Sequence, residues 1–125
     1  MILIVDANIL IGELLRQRGQ ELIQNPVLML YVTARVLDET QYEIERRIPL
    51  MVSRGRLTEA EAQLLLAQAK HLIETKIEVV SESNYSHLET EAKNRIPRDL
   101  DDWPTVALAL AMNAAIWTQD CDFLA

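Results

Sequence analysis

At 125 residues, half of them hydrophobic, the chain has the size of one domain, residues 1–125, around one well-filled core. Its apolar stretches stop well short of the roughly 18 to 20 residues that span a membrane, and no basic region opens a signal peptide, so a soluble cytoplasmic protein with no membrane partner is expected. Nineteen acidic residues against 12 basic ones give a net charge of −7, which argues against a broad basic surface for nucleic acid; the single cysteine, Cys121, excludes an internal disulfide and supports no zinc site.

Met1 to Val5 is an apolar run rich in β-formers and reads as a strand. Asn8 to about Arg18 carries helical spacing at Ile9, Leu10, Leu14 and Leu15, and this helix is expected to end near Gly19. Val27 to Val32 reads as a second strand. Thr33 is then placed to cap a helix through about Ile48, with Val36, Leu37, Thr40, Ile44 and Ile48 facing inward. Pro49 and Gly55 mark the next turn, and Thr58 with Glu61 forms a capping-box pattern ahead of a long helix to about Glu74. Ile77 to Val80 is a third strand, followed by a polar amphipathic segment from about Tyr85 to Asn94. Asp99, Asp101 and Asp102 lead into Pro104 and an almost wholly apolar helix to about Met112, a start that suits both a first-turn proline and the helix dipole. Ala114 to Thr118 is a fourth strand. Strands separated by helices predict an α/β fold with a mostly parallel sheet covered on both faces.

The acidic residues fall where these strands end. Asp6 directly follows the first apolar run, and Asp120 and Asp122 follow the last one, Ala114 to Trp117. Ligands of open α/β sheets sit outside the carboxyl ends of the strands, so carboxylates from opposite ends of a chain can meet in one crevice. Asp102, heading the apolar helix, and Glu39, on the helix after the second strand, bring two more acids from two more segments. Hard oxygen donors of this kind suit Mg²⁺ or Mn²⁺, and paired divalent cations serve phosphoryl chemistry by activating water and offsetting charge on the phosphate. With these five acids set aside, 14 acids and 12 bases remain, a difference of −2, and two divalent cations would bring the whole chain from −7 to −3. A phosphodiester partner is therefore expected only with metal present. Metal should also stabilise the fold, because close carboxylates repel by about 4 kcal/mol per pair at an effective dielectric near 20.

Each of these residues also has a plainer role to weigh. Asp6 or Asn8 serves equally well as the cap of the first helix, Asp102 as a dipole acid beside Asp99 and Asp101, and Glu39 as part of a solvated face on which Glu43 is its rival. Thr118 either holds a neighbouring carboxylate or finishes a strand. His71 and His87 read as surface residues, and Trp103 and Trp117 as packing residues, with Trp103 the better placed for a substrate because it adjoins Asp102. Arg46, Arg47, Arg54 and Arg56 form the only local basic cluster, read first as solvated surface and second as a holder of phosphate or of an acidic partner segment. No phosphate-binding glycine loop is present, since the glycines are Gly12, Gly19 and Gly55.

Taken together, MILIVDANIL, PRDLDDWPTVALALAM and WTQDCDF resemble the PIN domain family, which includes the toxin nucleases of bacterial type II toxin–antitoxin pairs. The resemblance implies a three-layer α/β/α sandwich and a Mg²⁺- or Mn²⁺-dependent endoribonuclease acting on RNA. It implies metal ligation and catalysis by Asp6, Glu39, Asp102 and Asp120, with Asp122 as a further metal ligand. Glu39 is the loosest of these matches. An antitoxin protein and a second copy of the chain are the protein partners that the resemblance brings into view. Two other readings remain: a catalytically weak PIN-like module that binds RNA or protein, and, further off, a receiver-like phosphoacceptor domain suggested by the acid after the first strand.

Overall fold

The computed structural model describes residues 1–97 and 99–119. Four parallel strands lie in the order β3-β2-β1-β4: β1 Ile2–Val5, β2 Met29–Thr33, β3 Ile77–Val80 and β4 Ala115–Trp117. The register sets Leu3 beside Leu30 on one side and beside Ala115 on the other, and Val5 beside Trp117. Six helices accompany the sheet: α1 Ala7–Leu14, α2 Gln17–Ile23, α3 Ala34–Ser53, α4 Glu59–Lys76, α5 Glu89–Arg95 and α6 Trp103–Met112.

The alternation of side chains along each strand divides the apolar residues between two layers. Val5, Leu30, Val32 and Ile77 face α1 to α4, where they pack with Leu10, Leu14, Ile44 and Leu72. Ile4 faces the opposite way, among Tyr85, Ala92, Trp103 and Leu108 of the α5–α6 side, and Tyr31 and Ile116 flank it. This is the three-layer α/β/α arrangement. It also explains why α6 is apolar nearly all round: every residue from Trp103 to Ala109 is buried.

Local signals account for most boundaries. Thr33 Oγ1 accepts from Val36 N at 3.1 Å and caps α3, and Thr58 and Glu61 form the reciprocal box that starts α4, at 3.1 and 2.9 Å. α6 stops at Met112 because Asn113 takes the left-handed conformation, φ 51°, which asparagine tolerates better than most residues. The chain then enters β4.

Two expectations are corrected. Gly19 does not end the first helix. The chain breaks at Leu15 and Arg16, and Gly19 lies inside α2, where a Cβ would stand 2.1 Å from the Glu13 carbonyl oxygen. Glycine is required because α2 folds back against the backbone of α1. Pro49 does not mark a turn either, since it lies inside the 20-residue α3. That helix ends at Arg54 with Gly55 at φ 75°. Gly55 N donates to the Val52 carbonyl at 3.0 Å and Arg56 N to the Met51 carbonyl at 2.9 Å, the paired bonds of a Schellman stop.

Candidate functional site

The strand order reverses around β1. From β1 the chain moves outward to β2 and β3, then returns to the other side as β4. A crevice is expected outside the carboxyl ends of β1 and its neighbours, and a cavity of about 100 Å³ opens there, lined by Asp6, Asn8, Thr33, Arg35, Glu39, Asp101, Asp102 and Thr105 among others. The starts of α1, α3 and α6 all border it. The positive ends of these helix dipoles help to keep the acidic side chains that line the cavity ionised.

Asp6 is the best-defined member. It is 8% exposed, and its Oδ1 accepts from Ile9 N at 3.1 Å, which makes it the cap of α1. Its Oδ2 accepts a hydrogen bond from the Thr118 hydroxyl, directly after β4. The two ends of the chain are thus tied together at the site, and both carboxylate oxygens are fixed while each retains a further lone-pair direction. Asp102 stands at the cap position of α6, reached through a tight 3-10 turn over Leu100–Asp102. Glu39 is exposed and reaches the cavity from α3.

The structure separates Glu39 from its rival. Glu43 is absent from the cavity lining and accepts from Arg46 at 2.8 Å and from Arg47 at 2.7 Å; these guanidinium hydrogen bonds hold its carboxyl below the usual carboxylate range. One residue missed by sequence reasoning is Arg35. It lies one turn before Glu39 on the same face of α3, borders the cavity, and donates from Nη1 to the Asp101 carbonyl at 2.7 Å. The (i, i+4) spacing to Glu39 was the available signal.

Asp120 and Asp122 lie outside the described residues. Among the described residues, no three acidic, histidine or cysteine side chains stand close enough together to grip a metal ion, so Asp6, Glu39 and Asp102 share a cavity without closing on one point. Their chemistry nonetheless fits a divalent cation. All three supply hard oxygen, and the cavity has room for a partly hydrated ion.

Other candidates are placed elsewhere. Trp103 is 8% exposed and packs edge-on against Tyr85 with centroids 6.1 Å apart, so it is a core residue. His71 and His87 are exposed and outside the cavity lining. β2 ends at Thr33 and β3 at Val80, followed by Ser81, so neither supplies the aspartate acceptor that a receiver-like domain needs.

A parallel sheet with a cavity lined by acids at the point where strand order reverses defines an α/β fold with a polar crevice at its switch point. The sequence profile of the PIN domain matches residues 4–125, and the chain belongs to the PIN domain family, whose members are in general metal-dependent nucleases. No individual curated protein matches the chain. No described helix is long and apolar enough to cross a membrane.

Proposed function

We propose that the protein is a Mg²⁺- or Mn²⁺-dependent endoribonuclease that hydrolyses RNA phosphodiester bonds in the acidic cavity. The observation that carries this reading is the meeting of Asp6, Glu39 and Asp102, from three separate segments, in one cavity at the switch point of the sheet. Asp6, Glu39, Asp102, Asp120 and Asp122 would hold the cation. When bound, it supplies a Lewis acid that makes water a better nucleophile and offsets charge on the scissile phosphate.

The chain's own residues do the rest. Ile9 N and the Thr118 hydroxyl hold the Asp6 carboxylate in one orientation, so its ligand geometry is set before substrate arrives. Arg35 borders the same cavity and offers a permanent positive charge to a phosphate oxygen. An acid of the cluster accepts the proton of the attacking water. In this account the protein is the toxin of a type II toxin–antitoxin pair, with an antitoxin protein as its regulator.

The test is cleavage of single-stranded and structured RNA by the purified chain with Mg²⁺ or Mn²⁺, against EDTA and the Asp102→Asn variant. Cutting that needs metal and is lost in the variant supports the reading. Binding of RNA without cutting under any of these conditions assigns the protein to the non-catalytic reading. Growth inhibition on expression, relieved by Asp102→Asn, tests the toxin assignment separately.

A further inference from the structure

The four arginines that stand out in the sequence do not disperse over the surface. Arg46, Arg47, Arg54 and Arg56 line a groove of about 650 Å³ between α1 and the end of α3, and Arg16 of the opposite wall joins them. Five of the chain's 12 basic residues therefore share one groove in a protein of net charge −7. Two carboxylates answer them: Glu13 accepts from Arg16 at 2.5 Å, and Glu43 from Arg46 and Arg47. Arg54 and Arg56 have no carboxylate within ion-pairing distance among the described residues. Among the described residues, five guanidinium groups less two carboxylates leave the groove at +3.

Local backbone features shape the groove. The Schellman stop at Gly55 turns the chain so that Arg54 and Arg56 flank it, and Gly12 leaves an open stretch of α1, with nothing within 4 Å of where a Cβ would be. Asn8 lines both the groove and the acidic cavity, and Gln119, two residues after β4, lines the groove. The two therefore border one another at Asn8, beside the carboxyl end of β1. Among the described residues the lining contains no aromatic side chain to stack on bases.

We propose that this groove is the track for the phosphodiester backbone of single-stranded RNA beside the scissile bond, with Arg54 and Arg56 as principal phosphate contacts. The inference rests on reading the adjoining cavity as a nuclease site. It adds a prediction about how a strongly acidic protein holds a polyanion: through one local basic groove, indifferent to base sequence.

The test is fluorescence anisotropy of a labelled single-stranded RNA with the full chain carrying Asp102→Asn in Mg²⁺, so that metal is present and binding is read without cleavage. Arg54→Gln/Arg56→Gln should bind roughly tenfold more weakly on every RNA sequence, and its salt dependence should fall by about 1.4, that is about 0.7 for each of two phosphate contacts. Glu43→Gln, which releases Arg46 and Arg47, should bind more tightly than this Asp102→Asn parent. Unchanged affinity and salt slope in the double variant, confirmed as folded by circular dichroism, overturns the proposal. Tight arginine-dependent binding of an acidic peptide, with RNA affinity unaffected by the substitutions, also overturns it and assigns the groove to a protein partner. If RNA binding depends on Arg54 and Arg56 but no metal supports cleavage, the groove stands and the nuclease reading fails.

Discussion

In the proposed nuclease Asp6 does two jobs that substitution can separate. As the cap of α1 it accepts from Ile9 N, and through its second oxygen it receives the Thr118 hydroxyl; as a ligand it offers negative charge to a cation. Asparagine caps a helix as well as aspartate does. In Asp6→Asn the amide oxygen still accepts from Ile9 N, and the Thr118 hydroxyl can turn to accept from the amide. Stability should therefore stay within about 0.5 kcal/mol of wild type without metal. Asp6→Ala loses the cap, about 0.5 to 2 kcal/mol, and the bond to Thr118, about 0.5 to 1.5 kcal/mol. Together these are about 1 to 3.5 kcal/mol, or a fall in Tm of about 4 to 14 °C at roughly 4 °C per kcal/mol for a chain of this size. Urea and thermal melts of both variants in EDTA, followed by cleavage assays with metal, read the two roles independently. Both variants should be inactive while only the alanine variant is destabilised. Equal destabilisation would refute the capping argument, and an active Asp6→Asn enzyme would refute the ligand argument.

Glu39→Gln should lower metal-dependent cleavage at least tenfold, whereas Glu43→Gln should leave the chemical step unchanged, as single-turnover rates at saturating RNA would report. Gly19→Ala should destabilise despite adding a helix former: the clash with the Glu13 backbone forces α2 outward and strains the bonds from Gln20 Nε2 to the Leu14 and Leu65 carbonyls, at 2.8 and 3.2 Å. A net loss of about 1 to 3 kcal/mol is expected in urea melts, and a gain in stability would contradict the close approach. The Glu61 carboxyl is held below its usual range by the backbone N–H and hydroxyl of Thr58. Its contribution is therefore present above the unfolded carboxylate range and is lost as pH falls through the lower folded value. Glu61→Gln, which keeps a capping-box partner, should lose less stability than wild type between neutral and acidic pH.

How far the sequence revealed this molecule depended on whether the cause was local. The Thr58–Glu61 box, the Thr33 cap and the proline at the head of α6 are set by neighbours within one turn, and each was legible before the fold was known. The two misreadings have tertiary causes. Gly19 resembles a helix terminator until α2 is seen to press on the backbone of α1. Pro49 resembles a breaker, yet both its missing N–H and its ring act on the Glu45 carbonyl, and Glu45 is exposed so that this carbonyl can tilt outward to water. The acidic cavity was foreseeable from strand ends because parallel sheets gather ligands there. Glu39 was named ahead of its rival Glu43, but the residues alone did not separate them, because the two lie one turn apart and the packing of α3 on α1, α4 and the sheet decides which borders the cavity. Arg35 escaped notice for the same reason. Asp120 and Asp122, the strongest remaining sequence signal, fall outside the described residues.

The central claim, that the Asp6, Glu39 and Asp102 cavity holds the cation used in RNA hydrolysis, is tested most directly by titrating Mn²⁺ into the chain and reading metal binding and RNA cleavage on the same samples. Binding and cleavage should rise together in wild type, and Asp6→Asn should weaken the first and abolish the second while the protein remains folded. Cleavage that proceeds at full rate in EDTA, or Mn²⁺ affinity untouched by Asp6→Asn, would contradict the account.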